Sequence, residues 1–268
     1  MSVDVPPSSR RFEDRVVVIV GAARGVGLAT AQAFAREGAR LSLADIDPAI
    51  EQVADQLDGI APERLLAQRL DITDLGQCRA FADATVATHG RIDVLAVVSG
   101  VLQEAQKIAE LPIEEFDRVL AVNAKGPLHM AQAVLPQMRE QQSGRIVNVA
   151  SWFAYNGHAY FGAYCASKFA VRAITQAIAE EEAENGITAN CVSPGNVDTE
   201  MHRRALREEA EKRGITTQEM QDIEWAKIPL GHACPPEDIA DAIVFLGSDQ
   251  SRYMTGASLD VNGGVLLR

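Results

Sequence analysis

The sequence lacks the features that define membrane, secreted and metal-dependent proteins. Its 268 residues contain no stretch approaching the roughly 18 consecutive apolar residues of a membrane span. The four cysteines, Cys78, Cys165, Cys191 and Cys234, are far apart and follow neither a C-x-x-C nor a Cys/His ligand spacing. We therefore predict no metal site, no membrane contact and free thiols in a reducing, cytoplasmic compartment.

Basic residues are too few for a protein that binds polyanions generally. Lysine and arginine together number 25, against 37 aspartate and glutamate residues, which gives a net charge of −12 at pH 7. This balance disfavours binding to nucleic acids or anionic membranes, although one local basic pocket is compatible with it. No nucleic-acid partner is expected.

Separators between domains are also missing. No segment rich in proline, glycine or serine divides the chain, and no internal repeat occurs. Residues 1–10 are polar, contain two prolines and lack the apolar core of a signal peptide, so we expect a loose leader there. We predict a single domain over residues 11–268.

Short apolar runs alternate with segments of helical period. Strands are predicted at 16–20, 40–44, 64–70, 94–98, 145–150, 188–192 and 258–261, and helices at 26–37, 49–57, 74–88, 113–140, 163–184 and 236–246. This alternation predicts an α/β protein with a parallel seven-stranded, doubly wound sheet and helices on both faces. The charged segment 199–227 is interpreted as a small helical lid over a site, or alternatively as a solvated excursion with internal ion pairs.

A glycine-rich turn, GAARGVG at residues 21–27, follows the first predicted strand and opens the first predicted helix. Glycines there permit a tight turn and a close approach of the backbone to a pyrophosphate, and the helix N-terminus adds free N–H groups. Any tight strand-to-helix turn is an alternative use of glycine, but this position favours dinucleotide binding. The expected contacts are Gly21, Arg24, Gly25, Val26 and Gly27.

An aspartate at the end of the second strand favours one cofactor over another. Asp45 lies 18 residues beyond Gly27, close to the spacing of about 20 for a carboxylate that binds the adenosine ribose hydroxyls. A carboxylate there repels a 2′-phosphate and so predicts NAD, whereas Arg24 in the glycine turn favours NADP. No basic residue follows Asp45 directly, so we predict NAD. The alternative is that Asp45 only caps the turn that leads to Pro48.

A serine, a tyrosine and a lysine form the strongest candidate for chemistry. Tyr164 and Lys168 are four residues apart on a predicted helix, so they share one face, and Ser151 precedes Tyr164 by 13 residues. A nearby ammonium group is expected to lower the tyrosine pKa from about 10, and roughly 3 pKa units are needed to reach neutrality. Such a tyrosine is a general base for an alcohol or a general acid for a ketone.

These motifs, in this order, resemble the short-chain dehydrogenase/reductase superfamily over nearly the whole chain. Further matches are Asp71 after the third strand, Asn123 in VNAKG, and the stretches NCVSPG at 190–195 and DVNGG at 260–264. The resemblance implies that Tyr164 exchanges a proton with the substrate oxygen, which Ser151 hydrogen-bonds. It implies that Lys168 tunes Tyr164 and binds the nicotinamide ribose, while Asn123 holds a water that links Lys168 to solvent.

The resemblance also implies further contacts to the cofactor. Asp71 and Ile72 would flank the adenine, and Thr199 would lie near the nicotinamide carboxamide. The complete set implied beyond the glycine turn is Asp45, Ile46, Asp71, Ile72, Ser99, Gly100, Tyr164, Lys168, Pro194, Gly195, Val197 and Thr199.

Two positions depart from the family pattern. Val20 stands where relatives have threonine, and Val97-Val98 stand where they have two asparagines. In relatives these polar side chains join the first and fourth strands. Replacing both partners of a hydrogen bond by apolar groups is nearly neutral, so we expect Val20 and Val98 to pack together. The departure puts the ribose contact near the first asparagine in doubt.

The substrate is less clearly indicated. The lid, ending in IPLG at 228–231, is similar to that of polyol, sugar-alcohol and acetoin dehydrogenases of the family, so we expect a polyol, sugar or cyclic alcohol. His158 either bonds a second hydroxyl or is a packed loop residue. Four basic lid residues either meet an anionic substrate group or form ion pairs on the helix surface; they are His202, Arg203, Arg204 and Arg207.

Two alternatives to an NAD-dependent alcohol dehydrogenase remain. One is a 3-oxoacyl reductase acting on a carrier-protein or CoA thioester, although the acidic stretch EEEAE at 180–184 would repel an acidic carrier. The remote one is a non-catalytic dinucleotide sensor, which would tolerate loss of the catalytic residues that this chain retains. The resemblance also implies a homodimer or homotetramer formed through helices 113–140 and 163–184.

Overall fold

The chain is built around a parallel β-sheet. A computed structural model describes residues 10–57 and 60–267, so the predicted leader lies outside the described residues except for Arg10. The strands are β1 (Val16–Val20), β2 (Arg40–Asp45), β3 (Leu65–Arg69), β4 (Val94–Val97), β5 (Gly144–Val149), β6 (Ile187–Pro194) and β7 (Ser258–Val261). Their order is 3-2-1-4-5-6-7, with every neighbouring pair parallel. The predicted seven-stranded doubly wound sheet is confirmed.

Helices cover both faces of this sheet. Within the described residues they are α1 (Gly25–Arg36), α2 (Leu75–His89), α3 (Ile113–Leu120), α4 (Gly126–Gln141), α5 (Gly162–Glu181), α6 (Glu200–Arg213), α7 (Thr217–Trp225) and α8 (Pro236–Gly247). The predicted helix 163–184 ends earlier, at Glu181, and a 3-10 turn at Ala183–Asn185 follows it.

Two other predicted helices were wrong in their form. The segment predicted as 49–57 is a 3-10 helix, Pro48–Gln56, whose buried residues Ile50 and Val53 are three apart and so suit a three-residue turn. The predicted helix 113–140 is interrupted by a π-helical turn at Ala121–Lys125. Pro127 has no N–H to donate to the carbonyl of residue 123, which removes one regular helical bond at this point.

Apolar side chains fill the space on each side of the sheet. Val17 and Ile19 of β1 belong to one core cluster, which includes Phe34 of α1 and Ile243 of α8. Val18 and Val20 point to the opposite face and join a second cluster, which α2, α4 and α5 complete. Each fully buried large side chain contributes about 1.5–3 kcal/mol. Because all strands are parallel, the loops that follow their carboxyl ends gather at one edge of the sheet.

Three further observations concern the described residues only. All four cysteines are free thiols. No cluster of histidine, cysteine and carboxylate side chains suitable for a metal ion occurs among them. None of the described helices combines the length and apolar character needed to cross a bilayer.

Candidate active site

The turn between β1 and α1 requires glycine at two positions. Gly21 has φ +89°, in the left-handed region, and a Cβ built on it would lie 2.5 Å from the Ser99 nitrogen. A Cβ on Gly27 would lie 1.8 Å from the Gly21 carbonyl oxygen. Arg24 precedes α1 and gives its N-terminus no side-chain cap. The turn therefore combines bare backbone with a helix start that lacks a cap, the chemistry that suits a pyrophosphate.

The Asp45 carboxylate joins the end of β2 to the glycine turn. Its oxygens accept hydrogen bonds from the backbone nitrogens of Ala23 (3.0 Å) and Asp47 (2.9 Å). The hydrogen bond from Asp47 corresponds to the alternative prediction, in which Asp45 caps the turn that leads to Pro48. The hydrogen bond from Ala23 goes beyond it and joins Asp45 to the glycine turn. Arg24 is turned toward Asp47, with which it forms an ion pair at 2.7 Å. Ile46, expected beside the cofactor, is 57% exposed at this edge.

Asp71 and Ile72, the residues predicted to flank the adenine after β3, make different contacts. The Asp71 carboxylate accepts hydrogen bonds from the backbone and the hydroxyl of Thr73, at 2.9 and 2.7 Å. Ile72 is buried and packs so closely against Gly126 that a Cβ there would lie 2.8 Å from it. Asp71 is thus committed to its own turn and Ile72 to the core, and their contact with an adenine stays a prediction.

The expected packing of Val20 against Val98 was wrong. Val20 is the register partner of Val97 and shares its core cluster, whereas Val98 packs against the cluster on the other face of the sheet. Side chains alternate along a strand, so adjacent residues cannot both face Val20. The backbone joins the two strands here, because the nitrogens of Val98 and Ser99 both donate to the Val20 carbonyl oxygen at 2.9 Å.

Asn123 lies buried in the π-helical turn. Its side-chain oxygen accepts from the Val101 nitrogen at 2.8 Å, and its amide nitrogen donates to the Val101 carbonyl at 2.9 Å and to the Ser167 hydroxyl at 3.1 Å. A Cβ built on Gly100 would lie 3.4 Å from the Asn123 oxygen and 3.5 Å from Lys168 Nζ. The Asn123 oxygen and the Lys168 ammonium group therefore both face the space beside Gly100.

Ser151, Tyr164 and Lys168 meet where β5 ends beside α5. Lys168 is buried, and its Nζ donates to the Val149 carbonyl at 2.9 Å and lies 5.7 Å from the centroid of the Tyr164 ring. Ser151 also is buried, and its hydroxyl lies close enough to Tyr164 to favour the ionised phenol. The predicted one-turn spacing on a helix thus brings the tyrosine and the lysine together, and the strand end supplies the serine.

The protonation of this group differs from the expectation. Burial raises the pKa of Tyr164 to about 12, although its hydrogen bond with Ser151 acts in the opposite direction. Burial also lowers the pKa of Lys168 to about 8. The expected lowering of the tyrosine pKa by the lysine is therefore not found in the protein alone, because desolvation penalises both charged forms. Tyr164 is a protonated donor at neutral pH in this state.

The loop after β6 brings Thr199 toward the glycine turn. Pro194 ends β6, and Val197 forms an isolated bridge with Cys234. The Thr199 side chain caps α6, and its methyl group would lie 3.4 Å from a Cβ on Gly25. Gly195 is pressed against Asn262, whose Cα would lie 2.9 Å from an added Cβ.

Aromatic rings border the tyrosine. The His158 ring stacks on Phe153 at 4.0 Å and meets Trp152 edge-on at 4.5 Å, and Phe153 in turn contacts Tyr164 at 5.8 Å. Burial lowers the pKa of His158, and its Nε2 is buried without a hydrogen-bond partner among the described residues. His158 is thus both packed and provided with one unused polar atom.

The lid segment consists of two helices, α6 and α7, joined by a small apolar cluster of Leu206, Ala210 and Met220. Its arginines form ion pairs with carboxylates of the segment or with Asp198 directly before it; these are Arg203 with Asp198, Arg204 with Glu208, Arg207 with Glu200 and Arg213 with Glu209. The alternative of internal ion pairs is therefore the one observed, and the arginines are not arranged as an anion pocket. His202 is part-buried, and burial lowers its pKa.

One residue at the site has no motif in the sequence. Gln103 is buried, and its side chain bonds the backbone at the start of α5, next to Tyr164. The sequence points to such a residue only indirectly. Phe161 and Gly162, at the start of this helix, cannot cap it with a side chain, so the cap has to come from elsewhere.

Comparison with known proteins gives the family. A family model described as enoyl-(acyl carrier protein) reductase matches residues 21–266. A galactitol 2-dehydrogenase of Agrobacterium fabrum is 36% identical over 95% of this chain and 98% of its own length. A 3-oxoacyl-(acyl-carrier-protein) reductase of Thermotoga maritima is 34% identical over 96% and 100%. The crystal structure of levodione reductase superimposes with a TM-score of 0.90 at 30% identity, covering 94% of this chain and 98% of that one.

The fold and these similarities define a dinucleotide-dependent oxidoreductase class. The chain belongs to the short-chain dehydrogenase/reductase family, whose members bind a nicotinamide dinucleotide.

Proposed function

We propose that the chain is a NAD-dependent dehydrogenase that interconverts a secondary alcohol and its ketone. The observation that carries the proposal is the grouping of the buried Ser151 with Tyr164 and Lys168, next to Gly100 and to Ser99, which adjoins the glycine turn. When bound, the dinucleotide supplies the hydride acceptor for oxidation or the donor for reduction. The protein's residues bind the reactants and move the proton.

Each of the four polar residues has a separate role in this proposal. Tyr164 gives its proton to a ketone oxygen or takes one from an alcohol, and Ser151 holds the same oxygen by a hydrogen bond. Lys168, fixed by the Val149 carbonyl, adds positive charge near the phenol and binds the nicotinamide ribose. Asn123 organises the polar route from Lys168 toward solvent. For alcohol oxidation the pKa of Tyr164 has to fall, and Lys168 together with the positive charge of an oxidised cofactor would lower it.

The preference for NAD rests on Asp45 and Arg24. The half-buried Asp45 carboxylate holds negative charge beside the glycine turn and repels a 2′-phosphate. Arg24 is the residue that would attract such a phosphate, but its guanidinium pairs with Asp47. Both contacts support NAD over NADP.

A polyol, sugar or cyclic alcohol is the substrate class that we propose. The rings of Trp152, Phe153 and His158 give the Tyr164 side of the site an apolar wall, and the unused Nε2 of His158 offers one polar contact to a further hydroxyl. The similarity to a galactitol 2-dehydrogenase supports the same class. The segment 199–227 is proposed to close over this substrate.

A 3-oxoacyl reductase is the second candidate. The similarity to a 3-oxoacyl-(acyl-carrier-protein) reductase at 34% identity and the description of the matching family model favour it. The acidic stretch at the end of α5 counts against it, but less than expected, because Glu182 is buried in an ion pair with Arg139. Glu180, Glu181 and Glu184 remain exposed. A sensor without activity is disfavoured, because all four polar site residues are present.

We also propose a cytoplasmic homodimer or homotetramer that uses α4 and α5, with residues 11–268 acting as one unit. Phe169, which is 41% exposed on α5, supports a contact there. Calibrated gel filtration tests the oligomer, and a monomer would contradict it.

The test of function is reduction of NAD and, separately, of NADP with a panel of polyols, sugars, cyclic alcohols and small diols, with 3-oxoacyl thioesters assayed in reverse. A Tyr164→Phe variant is the control. Turnover with NAD and an alcohol that the variant loses supports the proposal. Turnover with thioesters alone, or with NADP alone, would support the second candidate.

A further inference from the structure

The helix that carries Tyr164 is capped by a residue far away in sequence. Phe161, which precedes α5, makes no side-chain cap. The buried Gln103 does so instead, because its side-chain oxygen accepts from the nitrogens of Ala163 at 2.8 Å and of Tyr164 itself at 3.1 Å. Its amide nitrogen donates to the Tyr160 carbonyl at 2.9 Å. All the polar atoms of this side chain are thus used at the entry to α5.

The backbone at that entry is unusual and depends on this contact. Tyr160 has φ +70°, a left-handed conformation that few residues other than glycine adopt readily. Its carbonyl accepts from the Gln103 side chain and also from the Gln106 nitrogen at 3.1 Å. Two donors from one loop therefore fix the turn from which Tyr164 is presented.

The same loop also holds Asn123. The segment 101–104, here called the bridging loop, begins at Val101, whose backbone makes two hydrogen bonds with the Asn123 amide. Arg118 donates to the Leu102 carbonyl at 3.1 Å, which fixes the middle of the loop. Three consecutive residues thus connect the Asn123 side chain to the backbone of Tyr164.

We propose that Gln103 is a positioning residue that holds Tyr164 in reach of Ser151 and couples it to Asn123 through the bridging loop. This inference rests on the proposed function, since it assigns Gln103 to the same reaction. Without the Gln103 side chain, two N–H groups at the helix start and the Tyr160 carbonyl lose buried partners. The first turn of α5 then shifts to find others, and the Tyr164 hydroxyl moves away from Ser151.

Three variants test this role. Gln103→Met keeps the length of the side chain and removes both kinds of hydrogen bond. Gln103→Glu keeps the acceptor for the helix nitrogens, removes the donor to the Tyr160 carbonyl and adds a negative charge at the start of α5. Gln106→Met is the matched control, because it makes the same change three residues further along the chain and keeps the backbone bond to Tyr160. The Gln106 side-chain oxygen has no hydrogen-bond partner among the described residues.

We expect kcat to fall about 10²-fold in Gln103→Met, since a misplacement of about 1 Å costs this much. The KM for the cofactor changes little, because the glycine turn is not altered. The pKa in the kcat profile for oxidation rises, because the Ser151 hydrogen bond that opposes burial weakens. Gln103→Glu recovers part of the rate, about tenfold, and Gln106→Met equals the wild type. A merely structural cap would not move the kinetic pKa.

Amide hydrogen exchange over residues 160–166 of the full chain tests the cap without substrate. Faster exchange in Gln103→Met, together with the kinetic changes, supports the inference. Unchanged exchange overturns it, as does faster exchange with the kcat and pH profile of the wild type. If the wild type oxidises no alcohol, the proposed function is wrong. In that case the inference on Gln103 is tested by the distance between the Ser151 and Tyr164 hydroxyls in crystals of the wild type and of Gln103→Met. An unchanged distance overturns the inference.

Discussion

Cofactor choice gives the most direct prediction from the structure. Replacing Asp45 by serine removes the carboxylate at the end of β2 and leaves a smaller hydroxyl near the glycine turn. We expect the ratio of kcat/KM with NADP to that with NAD to rise, because the 2′-phosphate no longer meets a negative charge. The enzyme remains able to use NAD, since a hydroxyl also bonds the ribose.

The size of this change follows from the charges. A phosphate monoester carries nearly two negative charges at pH 7. Two unit charges 4 Å apart repel by about 1 kcal/mol in water and about 4 kcal/mol at an effective dielectric constant of 20. For the half-buried Asp45 we take about 2 kcal/mol, which corresponds to a roughly 30-fold change in the ratio. The variant also loses a charged acceptor for two backbone N–H groups, which lowers stability by about 1.5–3 kcal/mol.

The assay is initial-rate kinetics with both dinucleotides on one preparation of each variant. The ratio cancels any loss of folded protein, so the destabilisation does not distort it. Asp55→Asn is the control, because it removes the same charge from an exposed position on the segment that follows β2. Asp47→Asn frees the exposed Arg24 side chain from its ion pair and should change the ratio by no more than about 5-fold. A ratio in Asp45→Ser within twofold of the wild type would refute the reasoning.

Three other predictions concern the proton, the ion pair and the turn. Because burial raises the pKa of Tyr164, the rate of alcohol oxidation should rise with pH above neutrality, while the rate of ketone reduction should fall at high pH. A flat pH profile for oxidation would contradict this. The Tyr164→Phe variant should lose 10²–10⁴-fold in rate in both directions. Arg139→Met should lower Tm by several degrees at pH 7, since it leaves buried Glu182 without its cation. The Arg139 hydrogen bond holds the pKa of Glu182 below its usual value, so this stability is present above about pH 4.3 and disappears as pH falls; an equal Tm difference at pH 3 would contradict it. Gly21→Ala should abolish dinucleotide binding, measured by fluorescence titration, whereas Gly90→Ala, with a similar φ of +82° and open space, should retain it.

Much of the fold and of the candidate site is predictable from local sequence. Strands buried on both faces appear as continuous apolar runs, so the bounds of β1 are predicted correctly from its composition. Tyr164 and Lys168 are close for the same kind of reason, because a four-residue spacing on a helix fixes their proximity without any tertiary information. The glycine turn is predictable from local sequence as well, since its backbone conformation requires glycine.

Pairings between distant segments were not predictable in this way. The sequence places glutamates in a row after α5, but only the fold shows that Glu182 turns inward to an arginine of α4. Val20 and Val98 are both apolar, and only the register of β1 against β4 shows that they face opposite sides. The pKa of Tyr164 differs from the expectation because burial of the phenol depends on the whole site, whereas the lysine spacing is local.

Two irregular places in the described helices lie at the site itself, and both are visible in the sequence as departures from local preferences. Pro127 interrupts the hydrogen-bond pattern around Asn123, and the π-helical turn there directs the Asn123 side chain to Val101. Phe161 offers no cap to α5, and Gln103 supplies one from another loop. Functional sites are where local preferences are expected to be violated and compensated by distant contacts. The start of α5 lacks a cap from its own segment, and the distant residue that replaces it bonds the backbone of Tyr164.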